Sequence, residues 1–153
     1  MLVLFRRFPT LHLLFLQTTS ACPYTSRTMK LLTHNMLTSK AIKGVQEGYP
    51  LRVKAETVEI RESEFNKDFL VRLLPKIHYD ALYAAAKDAG HLDELPGTLP
   101  EDAASSEEFL KKLHHALLEV EVITGELICP ESGRSFPVQN GIPNMLLKPE
   151  EIG

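Results

Sequence analysis

Few residues of this chain have types and spacing suited to chemistry. Cys129 opens Cys129-Pro130-Glu131-Ser132-Gly133, the outline of a zinc knuckle with a serine where the second thiol would stand. Structural zinc needs four cysteine or histidine ligands, commonly as two Cys-x-x-Cys-like pairs. Ser132 is a poor ligand, because its alkoxide forms only at high pH. The facing loop, Ser39 to Gly44, holds neither cysteine nor histidine. The segment therefore reads as a turn, pinned by Pro130 and Gly133, whose shape has outlived its metal. Packing must replace what the metal supplied. As a nucleophile, Cys129 has no evident histidine partner and ends an apolar strand, so a buried free thiol is expected.

The histidines offer little more. His114 and His115 are neighbours on a helix, so their side chains point about 100° apart and cannot pair on a metal. With Lys111 and Lys112 they sit where a helix C-terminus favours cations. His34, His78 and His91 are isolated and read as surface or capping residues. The carboxylates form no paired acid-base constellation. There is no glycine-rich phosphate loop and no GxGxxG after a strand. An enzyme with its own cofactor is not expected.

The composition sets the frame for these residues. The 153-residue chain is 44% hydrophobic, enough for one domain, or a small domain with an insertion. Residues 1–28 carry Arg6, Arg7 and Arg27 and no acid, so of the net charge of −3 the rest of the chain holds −6. An acidic body argues against independent binding of RNA or DNA. Two cysteines, Cys22 and Cys129, make no disulfide framework and suit a reducing compartment. Residues 1–28 are too short in apolar run to span a bilayer. They read either as a targeting leader or as an extension ahead of a start at Met29, and the second reading is preferred.

Residues 29–39 predict a short strand entering a helical turn. Residues 51–62 alternate, with Leu51, Val53 and Ala55 in one phase and Val58 and Ile60 in the other. The slip near Glu56–Thr57 predicts a bulge in one long strand, or a bend between two short ones. Asn66 is a candidate N-cap for a helix with Phe69, Leu70, Leu73 and Leu74 on one face, ended by Pro75. Tyr79, Leu82, Tyr83, Ala86 and Ala89 mark a second helix closed by Gly90. After a connector at 91–104, Ser105 with Glu108 forms a capping box for a third, carrying Phe109, Leu110, Leu113, Ala116 and Leu117. Strands follow: 118–123 and 126–129 joined by a Thr124-Gly125 hairpin, then 134–138, an Asn140-Gly141 turn and 142–147. The predicted class is α+β: a small antiparallel sheet domain built from 29–62 and 118–148, a helical subdomain inserted at 63–117, and a flexible tail at 149–153. What remains for function is surface. A terminal strand rich in Ile142, Met145, Leu146 and Leu147, beside Phe136 and Pro137, is either core or an edge for pairing with another protein.

The segments MKLLTHNML (29–37), YPLRVKA (49–55), HHALLEVEVI (114–123) and CPESGRSFPVQNGIPNMLL (129–147) together resemble the multifunctional methyltransferase activator family. Its members are small subunits shared by several methyltransferases that use S-adenosylmethionine (SAM). The resemblance runs in order from residue 29 to about 148. It implies a non-catalytic subunit that stabilises methyltransferases acting on tRNA, rRNA and a translation release factor. Such a subunit covers an apolar surface and adds a strand to the partner's sheet. SAM would lie on the partner, RNA contact would be indirect, and the location would be cytoplasm and nucleus. The implied fold is a zinc-ribbon-like sheet with a helical insertion. Fungal members hold zinc with four cysteines. The matching positions here are Ser39, Gly44, Cys129 and Ser132, so zinc is not carried over. The implied contact region is Phe136, Pro137, Ile142, Pro143, Asn144, Met145, Leu146 and Leu147, with Thr33, His34, Asn35 and Met36 brought beside it by the other end of the body. Three readings stand against this one: a free-standing RNA-binding ribbon, a thiol enzyme using Cys129, and a degenerate-ribbon assembly factor unconnected with methyl transfer.

Overall fold

The computed structural model describes residues 28–92 and 95–153. The leader, apart from Thr28, lies outside the described residues. β1 (Met29–Lys30) runs directly into α1 (Leu31–Met36). The order continues with β2 (Arg52–Ile60), α2 (Lys67–Leu73), α3 (Tyr79–Asp88), α4 (Glu107–His114), β3 (Val120–Ile128), β4 (Ser135–Gln139) and β5 (Ile142–Pro143).

β3 is the axis of an antiparallel sheet. β2 pairs along one side of it, from Arg52↔Ile128 to Ile60↔Val120. β1 pairs at Val122 and Glu121 on the other side, and β4 pairs from Gly125 to Ile128. Among the described residues, β5 pairs only with β4. The expected hairpin at Thr124-Gly125 does not form, because β3 passes straight through it. A hairpin there would pair two short arms with each other, whereas the extended strand finds β2, β1 and β4 along its length. Gly125 has φ +156°, and a methyl group on it would run into the Lys54 carbonyl oxygen. Glycine here permits close approach of two strands. The expected slip in β2 lies opposite, with register shifts between Ala55 and Thr57 and between Thr57 and Val58.

The last strand is also shorter than expected. It ends at Pro143, which has no N–H to donate. The Asn144 side chain then accepts the Leu146 N–H at 3.1 Å, a local bond that competes with a sheet ladder.

The helices start and stop for local reasons. Asn66 caps α2 by accepting the Phe69 N–H, and Pro75 stands in the 3₁₀ turn that follows. α4 is capped by Ser106, whose hydroxyl accepts the Phe109 N–H at 3.3 Å. The cap thus falls one residue after the expected Ser105. The end of α4 widens into a π-turn at His115–Glu119 that feeds β3. Leu70 and Leu73 point inward, but Phe69 is exposed, because it falls outside the arc that α2 buries. The buried residues of 63–117 share a core with the sheet. Leu70, Leu82, Leu110, Leu113 and Leu117 join Met29, Val122, Leu127 and Phe136 in one buried cluster.

The tail expected to fray is tied down. Pro149–Glu151 form a 3₁₀ turn, Ile152 bridges to Ile42, and Glu151 pairs with Arg134 at 2.5 Å.

Candidate docking site

The Asn140-Gly141 turn holds both residues at positive φ, +52° and +73°, the geometry of a tight two-residue hairpin. Gly141 donates to the Ile123 carbonyl at 2.8 Å, and a side chain on it would collide with Thr28. The segment that follows is thereby fixed against β3 and the start of β1. Along it, Ile142, Asn144 and Leu146 are exposed, while Pro143, Met145 and Leu147 are half-buried. Alternation therefore separates the two faces as expected, even though only two residues are strand. Ile142 is 61% and Leu146 80% exposed. With Pro137, Pro143, Asn144 and Met145 they line an open groove of about 610 Å³.

The other expected contact residues separate into groups. Phe136 is 1% exposed and belongs to the core, because β4 points Phe136 and Val138 inward and Pro137 outward. His34 and Asn35 are buried as well, against the expectation of surface residues. His34 Nε2 lies 2.7 Å from the Leu51 carbonyl oxygen. Burial pushes its ionisation below the ordinary histidine value, outweighing that carbonyl and Asp88. Asn35 donates to the His78 carbonyl at 2.9 Å and accepts the His78 N–H at 3.0 Å. Its own carbonyl accepts the Tyr49 hydroxyl at 2.9 Å. Only Thr33 and Met36 of this group face outward. These bonds attach the end of α1 to the start of α3.

The two knuckle-like loops do meet. Ser39 is buried and donates to the Gly48 carbonyl at 3.1 Å. Gly44 has no side chain to offer and sits at φ +82°. Cys129 Sγ accepts the Ser132 N–H at 3.4 Å, and the thiol is buried. Burial pushes its ionisation up, but hydrogen bonds, chiefly from Ser132, hold it below the usual thiol value. The two loops are tied by a residue that sequence reasoning passed over. The Glu131 carboxylate accepts the N–H groups of Gln46, Glu47 and Gly48 at 2.9, 2.9 and 2.7 Å. Those bonds hold its ionisation below the ordinary carboxylate range. Its signal in the sequence was faint: one acid in a tight turn opposite a glycine-bearing loop. Among the described residues, no group of three or more His, Cys, Asp and Glu is arranged to hold a metal ion.

Other polar clusters serve the fold. Glu121 is buried in β3, where the Thr28 hydroxyl donates to it and Arg61 and Lys30 approach at 3.3 and 3.8 Å. His114, expected at the surface, is buried, with Nε2 3.1 Å from the Ser63 hydroxyl and 3.2 Å from the Glu64 carbonyl. His115 is the more exposed of the pair and meets Glu119 at 2.6 Å.

A family model described as Trm112p-like protein matches residues 30–141. The multifunctional methyltransferase subunit TRM112-like protein of Bos taurus is 53% identical over 124 residues, covering 80% of this chain and 98% of that one. TRM112 homolog A of Arabidopsis thaliana is 51% identical over 126 residues, covering 81% and 100%. The Saccharomyces cerevisiae subunit TRM112 is 32% identical over 136 residues, covering 81% and 100%. Among solved structures, a chain of the E. cuniculi Mtq2–Trm112 complex, which methylates the eRF1 translation termination factor, has a TM-score of 0.44. It is 20% identical, covering 77% of this chain and 95% of that one, too slight a likeness to build on.

Proposed function

This chain belongs to the Trm112p-like family, and on that premise we propose that it is a non-catalytic subunit that binds and stabilises SAM-dependent methyltransferases acting on tRNA, rRNA and a translation release factor. Relatives identical at about half of the aligned positions, over nearly their own whole length, are named as multifunctional methyltransferase subunits. The observation that carries the reading within this molecule is the groove at Ile142 and Leu146. It presents large apolar side chains to solvent, next to a two-residue strand whose outer edge pairs with nothing among the described residues.

Such an edge takes an added strand, with main-chain bonds supplying affinity and alternate side chains supplying specificity. Burial of apolar area contributes about 25 cal/mol per Å² before association costs. A subunit that binds only the folded methyltransferase raises that enzyme's stability by mass action. SAM binding and methyl transfer belong to the partner. Within the family's contact region, Ile142, Pro143, Asn144, Met145, Leu146 and Pro137 are the contact residues we propose, with Leu147 bracing them from the core side. Phe136, His34 and Asn35 act from beneath the surface. Thr33 and Met36 extend the contact from α1.

We read the paired loops at 38–48 and 129–133 as a zinc-ribbon shape held without zinc. One thiol and two hydroxyls are a poor tetrahedral donor set, the Ser39 hydroxyl is already directed to Gly48, and Gly44 offers nothing. The Glu131 carboxylate bridges the loops in place of an ion.

The test is a pull-down of the tagged chain from cell extract beside a Met145→Asp/Leu146→Asp variant, with partners identified by mass spectrometry. Methyltransferases are expected with the native chain and not with the variant. Their presence with both would move the site elsewhere. Their absence from both would overturn the reading.

A further inference from the structure

A second groove, of about 560 Å³, lies between the Tyr49-Pro50 segment, the start of α3 and Leu99 of the connector. Two rings that line it, Tyr49 and His78, stand 5.1 Å apart, tilted by 59°. Leu99, 45% exposed, and Pro50 supply apolar walls. Glu47 and Asp80 add two carboxylates, and among the described residues no lysine or arginine lines it.

The backbone beneath these side chains is fixed at several points. Glu131 holds the Glu47 N–H, and the Thr38 hydroxyl donates to the Glu47 carbonyl at 2.8 Å. Asn35 clamps His78 by both its N–H and its carbonyl. The Tyr49 hydroxyl is held by the carbonyl of Asn35, one residue before the exposed Met36. A rigid seat reduces the ordering cost of binding. Its charge repels phosphate, so nucleic acid is a poor occupant. A guanidinium matches it, stacking on an aromatic face while donating to carboxylates.

We propose that this groove seats a basic, apolar segment of the methyltransferase partner, with an arginine placed over Tyr49 and between Glu47 and Asp80. The proposal rests on the subunit reading above and adds a second point of attachment, reached through α1 rather than β5.

The full chain, isotope-labelled, is titrated with acetyl-Leu-Arg-Leu-amide and acetyl-Leu-Glu-Leu-amide while amide shifts are followed. The arginine peptide is expected to shift Tyr49, His78, Asp80 and Leu99, and a Glu47→Gln/Asp80→Asn variant to lose those shifts. If the double variant does not fold, Glu47→Gln alone serves, since it changes only an exposed loop side chain. Equal shifts with both peptides, or none, would overturn the groove's assignment. The methyltransferase recovered with the chain is then mixed with native and variant protein. Association should slow by about three- to tenfold and lose salt dependence in the variant. Unchanged association would reject the partner assignment while leaving the subunit reading intact. Failure of the native chain to bind any methyltransferase would instead remove the subunit reading, and with it the methyltransferase as occupant.

Discussion

Glu131 sits in an exposed turn, yet its carboxylate gathers three backbone N–H groups from a loop more than eighty residues away in sequence. Its folded-state ionisation is depressed by those bonds. The clamp therefore contributes in full above the ordinary glutamate value of about 4.3. It is lost as pH falls through the lower folded-state value. His34 is depressed as well, by burial. A folded state that resists protonating His34 loses stability as pH falls below about 6.5. Acid unfolding should thus begin in the His34 window and steepen in the carboxylate window, where Glu107, Glu108 and Glu119 also contribute. In denaturant titrations from pH 7.5 to 3.5, His34→Gln should flatten the first limb. Glu131→Gln should lower the midpoint at neutral pH and shrink the second limb. A Glu131→Gln curve parallel to the native one at every pH would remove the clamp. Neither role was legible in the sequence. His34 is one histidine among six, and only the fold shows that α1 turns it toward Leu51. Glu131 draws attention in the sequence only as the filler of a broken knuckle.

At the scale of the element, local signals were readable and pairings were not. Asn66, Pro75 and Gly90 each act where the pattern places them, because caps and breakers work through bonds within a few residues. The β2 bulge was readable for the same reason, since a phase slip is local. Thr124-Gly125 misled because a glycine that permits a turn and a glycine that permits close strand approach look alike in one dimension. The deciding fact is Lys54, far earlier in the chain. Gly125→Ala should therefore destabilise strongly, by about 1–3 kcal/mol from overpacking, with backbone strain at positive φ adding to it. Urea unfolding checks this, and a loss below about 0.5 kcal/mol would mean that β2 can shift away. The neighbouring case is finer. Ser106→Ala should cost about 1 kcal/mol through loss of the α4 cap, and Ser105→Ala close to nothing. The reverse order would restore Ser105 as the cap.

For the whole molecule, the question is how a chain this small leaves large apolar residues outside its own core. The sequence supplied the candidates, since 136–147 holds nearly every large apolar residue near the C-terminus. It did not separate those that fold the chain from those that face outward. The structure makes that division within a few residues. β4 turns Phe136 inward, and the Asn140-Gly141 hairpin reverses the chain so that Ile142 and Leu146 face out. Stability and binding should therefore separate by mutation. Phe136→Ala removes a fully buried ring and should cost the isolated chain about 3–5 kcal/mol. Leu146→Asp alters a side chain that is 80% exposed and should change folding stability by no more than about 0.5 kcal/mol. Its effect should appear in the complex. The partner methyltransferase should lose the thermal stabilisation that the native subunit gives it by mass action. Thermal melts of subunit and partner, alone and mixed, decide this. If Leu146→Asp unfolds the isolated chain, the residue belongs to the core and the groove is no docking site. If it leaves both the chain and the partner's melting temperature unchanged, the methyltransferase binds another face, and the groove at Tyr49 and Leu99 becomes the next to test.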